Sequence, residues 1–298
     1  MKPIDDALEG LPSTDEHEEL PPPPFSSHLV MREQISEAEL RAYHVGFDQN
    51  VFRLKPLVDV ICSVIPEFVF GLHQGATVDQ TKIVNRLREA AKRVYTTDKY
   101  GRRGEFGELI LHLLLRDFCG TIPLISKIYF KDSDNSTVHG FDGVHVVAEN
   151  ATMWLGESKI YTDGAAGIAS LLGDLENHLK EDYLRREFSL ISTKVPIEFP
   201  DRDKWILLLH EHQTLDAIVQ RICLPMVCTY TSPIFDNHTS ESQDYIDTFV
   251  SECRKLKTKF DEGHIETDID VILMLLPIPS KEQLVTTLDE RLRSMQQI

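Results

Sequence analysis

Residues 152 to 161 read Thr152-Met153-Trp154-Leu155-Gly156-Glu157-Ser158-Lys159-Ile160-Tyr161, a pattern typical of a buried β-strand. Side chains of a strand alternate between its two faces. One face therefore carries two apolar residues followed by two opposite charges, namely Met153, Leu155, Glu157 and Lys159. A strand covered by helices is normally apolar on both faces, and departures from that rule concentrate at functional sites. The charges are either a structural ion pair at the end of the sheet or part of a functional site.

A second strand pattern lies upstream and reads Gly140-Phe141-Asp142-Gly143-Val144-His145-Val146-Val147. Its single carboxylate, Asp142, stands at the start of an apolar run and by residue type is also compatible with a simple turn. If the two strands are neighbours, Asp142 and Glu157 bring two carboxylates together, with Lys159 two residues further on. Hard oxygen ligands with open positions for water and phosphate suit Mg²⁺ or Mn²⁺. The sequence thus favours a divalent-metal site here.

An amphipathic helix is predicted over 103–118, ahead of both strands. At about 100° per residue, its apolar stripe consists of Phe106, Leu109, Ile110 and Leu113, and its polar side consists of Glu105, Glu108, His112 and Arg116. A polar stripe on such a helix is normally the solvated face. The helix pattern alone therefore does not make Glu108 a third acidic residue of the metal site; that assignment needs independent support.

The predicted elements around these residues follow the order αβββαβ. They are a helix over 103–118, strands over 124–130, 141–147 and 152–161, a helix over 164–181 and a strand over 222–230. A helix over 241–260, a strand over Ile269–Leu276 and a helix over Lys281–Met295 extend the same sheet. Residues 36–99 are predicted to be mainly helical, with a second amphipathic stretch from Thr77 to Tyr95. The expected fold class is α/β, with an N-terminal helical layer and extra C-terminal α/β elements.

The chain is expected to divide near residues 26 and 100. Residues 1–26 carry seven acidic residues against one lysine and contain the run Pro21 to Pro24, so they are expected to form a disordered tail. That tail either solubilises the chain or docks a partner. Residues 27–100 would form the N-terminal helical region, and residues 101–298 the core with its C-terminal extension.

The net charge of −17 is unfavourable for a chain that must hold nucleic acid by itself, because lysine and arginine supply the affinity for phosphate. One of the few basic stretches contains Arg86, Arg88, Lys92 and Arg93, and is either a solvated helix face or a phosphate contact. A membrane-spanning segment of about 18 to 20 apolar residues and a signal peptide are both missing from the sequence pattern. A cytoplasmic protein with no membrane partner is therefore expected.

The five cysteines are odd in number and lie in apolar or helical contexts, which predicts reduced and mostly buried thiols. Cys223 and Cys228 form the one close pair, with His210 and His212 upstream. A zinc site built from these four residues is the alternative, although their spacing matches no common zinc template.

Together, these motifs resemble the PD-(D/E)xK nucleases, whose restriction-endonuclease-like core has the same αβββαβ order. Glu108 on the helix, Asp142 on the second strand and Glu157-Ser158-Lys159 on the third take the motif positions. The sequence contains no other acidic residue followed two positions later by lysine. It departs from the motif at Phe141, which stands where the motif has proline.

Three segments narrow the resemblance to the HamA family, the nuclease subunits of Hachiman antiphage defence, over about residues 101–162. They read Arg103-Gly104-Glu105-Phe106-Gly107-Glu108, Gly140-Phe141-Asp142-Gly143-Val144-His145 and Trp154-Leu155-Gly156-Glu157-Ser158-Lys159. The resemblance implies a Mg²⁺-dependent DNase whose catalytic residues are Glu108, Asp142, Glu157 and Lys159. It also implies metal ligation by Asp142, Glu157, Ser158 through its backbone carbonyl, and Glu108. The implied partner is a superfamily 2 helicase, HamB, which would bring the DNA and so account for the acidic charge.

Other readings remain beside this one. Glu105 and His145 are secondary candidates that stand close to the motifs in the sequence. A non-catalytic adaptor with a nuclease-like fold, binding a helicase and DNA, is the rival function. Hydrolysis by a cysteine or serine nucleophile finds no nucleophile motif in the sequence.

Overall fold

The computed structural model describes residues 29–35, 38–75, 82–94, 104–126, 140–209, 214–263 and 266–298. The strands of this part are β1 (Leu29–Ile35), β2 (Ala38–Tyr43), β3 (Phe47–Asp48), β4 (Val51–Phe52), β5 (Ile122–Ser126), β6 (Gly143–Val147), β7 (Thr152–Tyr161), β8 (Ile222–Thr231) and β9 (Asp270–Ile278). The helices of this part are α1 (Leu54–Ser63), α2 (Ile65–Gly75), α3 (Ile83–Val94), α4 (Gly104–Cys119), α5 (Gly164–His178), α6 (Glu181–Lys194), α7 (Arg202–Leu208), α8 (Leu215–Val219), α9 (Ile234–Asn237), α10 (Gln243–Glu262) and α11 (Lys281–Gln297).

A mixed sheet of seven strands forms the centre of the described fold, in the order β1-β2-β9-β8-β7-β6-β5. Strands β7, β8, β9 and β2 run parallel, whereas β5 and β6 pair antiparallel at one side and β1 pairs antiparallel at the other. Parallel strands covered by helices on both faces must be apolar on both faces. Accordingly, β8 is buried along nearly its whole length.

Helices cover the sheet on both faces, and each face has its own hydrophobic core. One core joins the sheet to α1, α2, α3, α4 and α11. The other joins it to α5, α6, α7 and α10. Strand β7 lies between the two layers, because α4 packs on one of its faces and α5 on the other.

Glycines allow α4 to approach β7 closely. A Cβ at Gly156 would lie 2.8 Å from both methyl carbons of Leu111, and one at Gly107 would lie 2.9 Å from Ser158 Oγ. Cβ atoms do not come that close to other atoms without something shifting, so these positions fix the contact between helix and strand.

The predicted αβββαβ order is confirmed as α4, β5, β6, β7, α5 and β8, and the C-terminal α10, β9 and α11 extend the sheet as expected. The helix predicted over 164–181 ends at His178, and a separate α6 starts at Glu181. Residues 127–130 of the first predicted strand lie outside the described residues, as does the tail over 1–26. The division of the chain near residues 26 and 100 stays a prediction.

The N-terminal layer contains the expected helices as α1, α2 and α3, but residues 38–52 before them form strands and turns and not helix. Residues 38–43 form β2, which pairs in parallel with β9 from Ala38 opposite Val271 to Ala42 opposite Leu275. In the sequence Ala-Glu-Leu-Arg-Ala-Tyr, buried and half-buried residues alternate only from Ala38 to Ala42. Such a short alternation is easily mistaken for the edge of a helical region, and the first helix begins at Leu54.

The cysteine prediction is confirmed, because all five thiols are free; Cys119 is half-buried and the other four are buried. His210 and His212 of the alternative zinc site lie outside the described residues. Within the described ranges, every helix is too short or too polar to cross a lipid bilayer.

Candidate active-site cleft

Asp142 lies immediately before β6 and is held against β7. Its backbone N–H donates to the carbonyl of Gly156 at 2.9 Å. Its carboxylate Oδ2 accepts from the backbone N–H of Ser158 at 3.0 Å and from the Ser158 hydroxyl at 2.8 Å. Asp142 is 7% exposed, so these bonds fix a nearly buried carboxylate at the start of β6. A residue that served only to form a turn would not need this contact with the neighbouring strand.

Glu157 and Lys159 project from β7 toward α5. Glu157 is only 5% exposed, and Lys159 Nζ lies 3.8 Å from Glu157 Oε2 and 2.5 Å from Asp174 Oδ2. Burial acts to lower the pKa of Lys159, but the carboxylates of Asp174, Glu157 and Asp142 outweigh it, and the pKa is raised. Lys159 is therefore a cation at neutral pH.

A cleft of about 840 Å³ opens in front of these side chains. Asp142, Glu157 and Lys159 line its sheet side, and residues of α5 and α6 form the opposite wall. The wall includes cationic side chains, Lys180 and Arg186. The structure thus brings three of the four predicted catalytic residues to one accessible cavity.

Asp174 and His178 of α5 belong to this cleft and were missed by the sequence analysis. His178 Nε2 lies 3.4 Å from Glu157 Oε1. Its ring lies between those of Phe141 and Tyr183, at centroid distances of 4.5 and 4.8 Å. One feature of the sequence could have predicted them. Asp174 and His178 are polar residues four positions apart, and so on one face, of the helix that follows the motif-bearing strand.

Glu108 is placed differently from the other candidates. It is 5% exposed on α4 and is not among the described residues that line the cleft. Helix α4 packs on the face of β7 that carries Ser158, as the close approach of Gly107 shows. Glu157 and Lys159 project from the other face, so Glu108 lies on the opposite side of the strand from these two side chains.

His145 and His112 form a buried pair on the α4 side of the sheet. His112 Nδ1 lies 3.2 Å from His145 Nε2, and the Thr121 hydroxyl lies 2.8 Å from His145 Nδ1. Burial lowers the pKa of His145 to about 3. The pKa of His112 is also lowered, by burial first and then by His145 and Arg116. Both rings are therefore neutral, and His145 takes part in a core network away from the cleft.

The other secondary candidate, Glu105, lies half-buried in the first turn of α4.

This pair predicts a pH dependence of stability. An unfolded histidine titrates at a pKa of about 6.5, whereas both rings titrate lower in the folded chain. Between the two values the unfolded state binds more protons, so stability falls as the pH drops below about 6.5, by on the order of 2 kcal/mol per histidine at pH 5. Urea unfolding at pH 8 and pH 5 measures this loss. The double variant His112→Gln, His145→Gln should lose less between the two pH values, and an equal loss in both proteins would contradict the assignment.

A divalent metal in this cleft would depend on the carboxylates that line it. Within the described ranges, no three His, Cys, Asp or Glu side chains converge closely enough to hold a metal ion. Mg²⁺, however, keeps several waters and is commonly bound through one or two carboxylates together with phosphate oxygens. Asp142 and Glu157 at the cleft fit that mode. They do not fit a structural zinc site, which takes four nitrogen or sulfur ligands.

The layered sheet, its αβββαβ core and the Asp142 and Glu157-x-Lys159 positions define the chain as an α/β protein with a nuclease-like fold. The sequence model of one family, HamA, matches residues 24–292. The chain therefore belongs to the HamA family and is a component of the Hachiman antiphage defence system. No curated protein and no solved structure matches this chain.

Proposed function

We propose that this chain is a Mg²⁺-dependent nuclease that hydrolyses DNA phosphodiester bonds as the effector subunit of its defence system. The proposal is carried by one observation: Asp142, Glu157 and the cationic Lys159 line a single cleft. The two carboxylates are suited to binding a metal ion, and the cation beside them is suited to contacting a phosphate. Family membership supports the defence role.

In this proposal, Asp142 and Glu157 hold Mg²⁺, with Mn²⁺ as a substitute. The backbone carbonyl of Ser158 is a further ligand, and Glu108 serves a second ion or its waters. The bound metal supplies Lewis acidity, which activates water and stabilises charge on the phosphate.

The protein's own side chains orient the carboxylate of Asp142 and stabilise charge on the phosphate. The two hydrogen bonds from Ser158 keep the carboxylate of Asp142 in one orientation, so no reorganisation is needed when substrate arrives. With its pKa raised by the surrounding carboxylates, Lys159 can donate to the attacking water or to a phosphate oxygen. It therefore orients the water or stabilises the charge that develops on the phosphate.

The partner is proposed to be a superfamily 2 helicase of the HamB type, and the site of action the cytoplasm. A chain with a net charge of −17 gains little from phosphate contacts of its own. A helicase that holds the DNA would supply them. In this arrangement the isolated chain is a weak nuclease, and the complex is the active one.

The test is cleavage of supercoiled plasmid by the chain alone and together with any superfamily 2 helicase that is encoded beside it. With Mg²⁺ or Mn²⁺ we expect nicked and linear products from the complex, and with EDTA we expect none. Isothermal titration calorimetry with Mn²⁺ accompanies the assay. If neither cleavage nor Mn²⁺ binding occurs under any condition, the nuclease proposal fails.

A non-catalytic adaptor that binds a helicase and DNA is the second candidate. The observation that favours it is the ion pair of 2.5 Å between Lys159 and Asp174, which is also what a purely structural pair would form. An adaptor has no use for a divalent cation, so the calorimetric titration separates the two functions.

A further inference from the structure

Helix α5 presents two polar residues, Asp174 and His178, to two charged residues of β7. Asp174 contacts Lys159 and His178 contacts Glu157, at 2.5 and 3.4 Å. Four residues of a helix rise about 6 Å, and two residues of a strand rise about 6.6 Å. The spacing of Asp174 and His178 along α5 therefore matches the spacing of Glu157 and Lys159 along β7. About one turn of the helix is enough to contact both charged residues of the strand.

The ammonium of Lys159 has two carboxylates within reach, and the distances to them differ. Asp174 Oδ2 lies at 2.5 Å, whereas Glu157 Oε2 lies at 3.8 Å. Both carboxylates attract the same cation, so removing one leaves the other as its nearest partner. Asp174 thus draws the lysine away from Glu157, and the negative charge of Glu157 is left less neutralised.

His178 acts on the other carboxylate and is itself held on both sides. Its ring is stacked on Tyr183, with an angle of 25° between the ring planes, and it packs at 4.5 Å against Phe141. Phe141 directly precedes Asp142 in the sequence. The side chain that contacts Glu157 is therefore also packed against the segment that carries Asp142.

We propose that Asp174 and His178 are positioning residues of the cleft. Asp174 holds the ammonium of Lys159 off Glu157, and His178 orients the carboxylate of Glu157 for binding a divalent cation. The inference rests on the proposed metal-dependent nuclease function. It assigns to α5 a role in setting the metal affinity of residues that lie on β7, as supporting residues around metal ligands do in general.

The test for Asp174 is a double-mutant cycle read by Mn²⁺ calorimetry on the full chain. Asp174→Asn should weaken Mn²⁺ binding about tenfold, because the ammonium then moves onto Glu157. In a Lys159→Gln background the ammonium is missing, so Asp174→Asn should have no further effect. Glu176→Gln is the matched control, since it removes one charge from the exposed side of the same helix.

The test for His178 compares two substitutions. His178→Ala should weaken Mn²⁺ binding about tenfold, whereas His178→Gln should restore most of it, because the amide can still donate to Glu157. Thermal melts of each variant by circular dichroism show whether the fold is retained. In the cleavage assay, His178→Ala should be rescued at high Mn²⁺ concentration, which general damage to the fold would not allow.

Three outcomes overturn the inference. If Asp174→Asn weakens Mn²⁺ binding equally with and without Lys159, Asp174 acts as a ligand or through its own charge. If the unmodified chain binds Mn²⁺ but both α5 variants behave like Glu176→Gln, the positioning roles fail while the proposed function stands. If the unmodified chain neither binds Mn²⁺ nor cleaves DNA, the proposed function and the inference fail together.

Discussion

Glu157→Ala and Lys159→Ala are each expected to abolish DNA cleavage by the complex, with a loss of about a thousandfold or more. Glu157→Ala removes one of the two cleft carboxylates that are proposed to bind the metal. Lys159→Ala removes the cation of the cleft, a lysine whose pKa is raised by the surrounding carboxylates. The initial rate of plasmid nicking measures both losses, with Mg²⁺ and the helicase in excess.

The two variants should differ in a second measurement. Glu157→Ala should also lose Mn²⁺ binding, whereas Lys159→Ala should keep it, because the lysine is not a ligand. Binding of the helicase should be unchanged in both. Lys255→Ala, an exposed lysine on α10, is the control for the lost charge. Retained cleavage in both purified variants would rule out this active-site assignment.

Gly156→Val is expected to lower the free energy of unfolding by about 3 kcal/mol. The new Cβ would lie 2.8 Å from both methyl carbons of Leu111, and Leu111 is fully buried, so the contact must be relieved by moving α4 or β7. Because the carbonyl of Gly156 accepts from Asp142, cleavage should fall as well. Urea unfolding monitored by circular dichroism measures the first effect.

Gly173→Ala is the matched control for that substitution. A Cβ at Gly173, within α5, meets no atom within 4 Å. Alanine also favours the helix over glycine, so this variant should be as stable as the unmodified chain or slightly more. If Gly156→Val proves equally harmless, the close packing of α4 on β7 is not what fixes the strand.

The sequence predicted those parts of the site that depend on local order. Strand alternation is enough to place Glu157 and Lys159 on one face of β7, and the structure has them projecting toward α5. The position of Asp142 beside β7 followed from two adjacent strands joined by a short connection. Neighbouring strands in sequence commonly pair in space, and here β6 pairs with β7.

The parts that could not be predicted depend on contacts between distant elements. The helical period places Glu108 on the polar side of α4 but cannot say which face of the sheet α4 will cover. The same period cannot show that Asp174 would meet Lys159, since that depends on where α5 lies on the sheet. Strand β2 was missed because its pattern covers only six residues and its partner, β9, is far away in the sequence.

The pairing of β2 with β9 has a consequence for how the chain is made. Ala38 pairs with Val271, so the ribosome must add more than two hundred residues after β2 before its partner strand exists. At about 5 to 20 residues per second, that interval is on the order of 10 to 50 s. Throughout it, the open edge of β2 can pair with other nascent chains. Slow translation or crowded polysomes should therefore favour aggregation, and a chaperone that shields this edge during synthesis should raise the yield of folded protein.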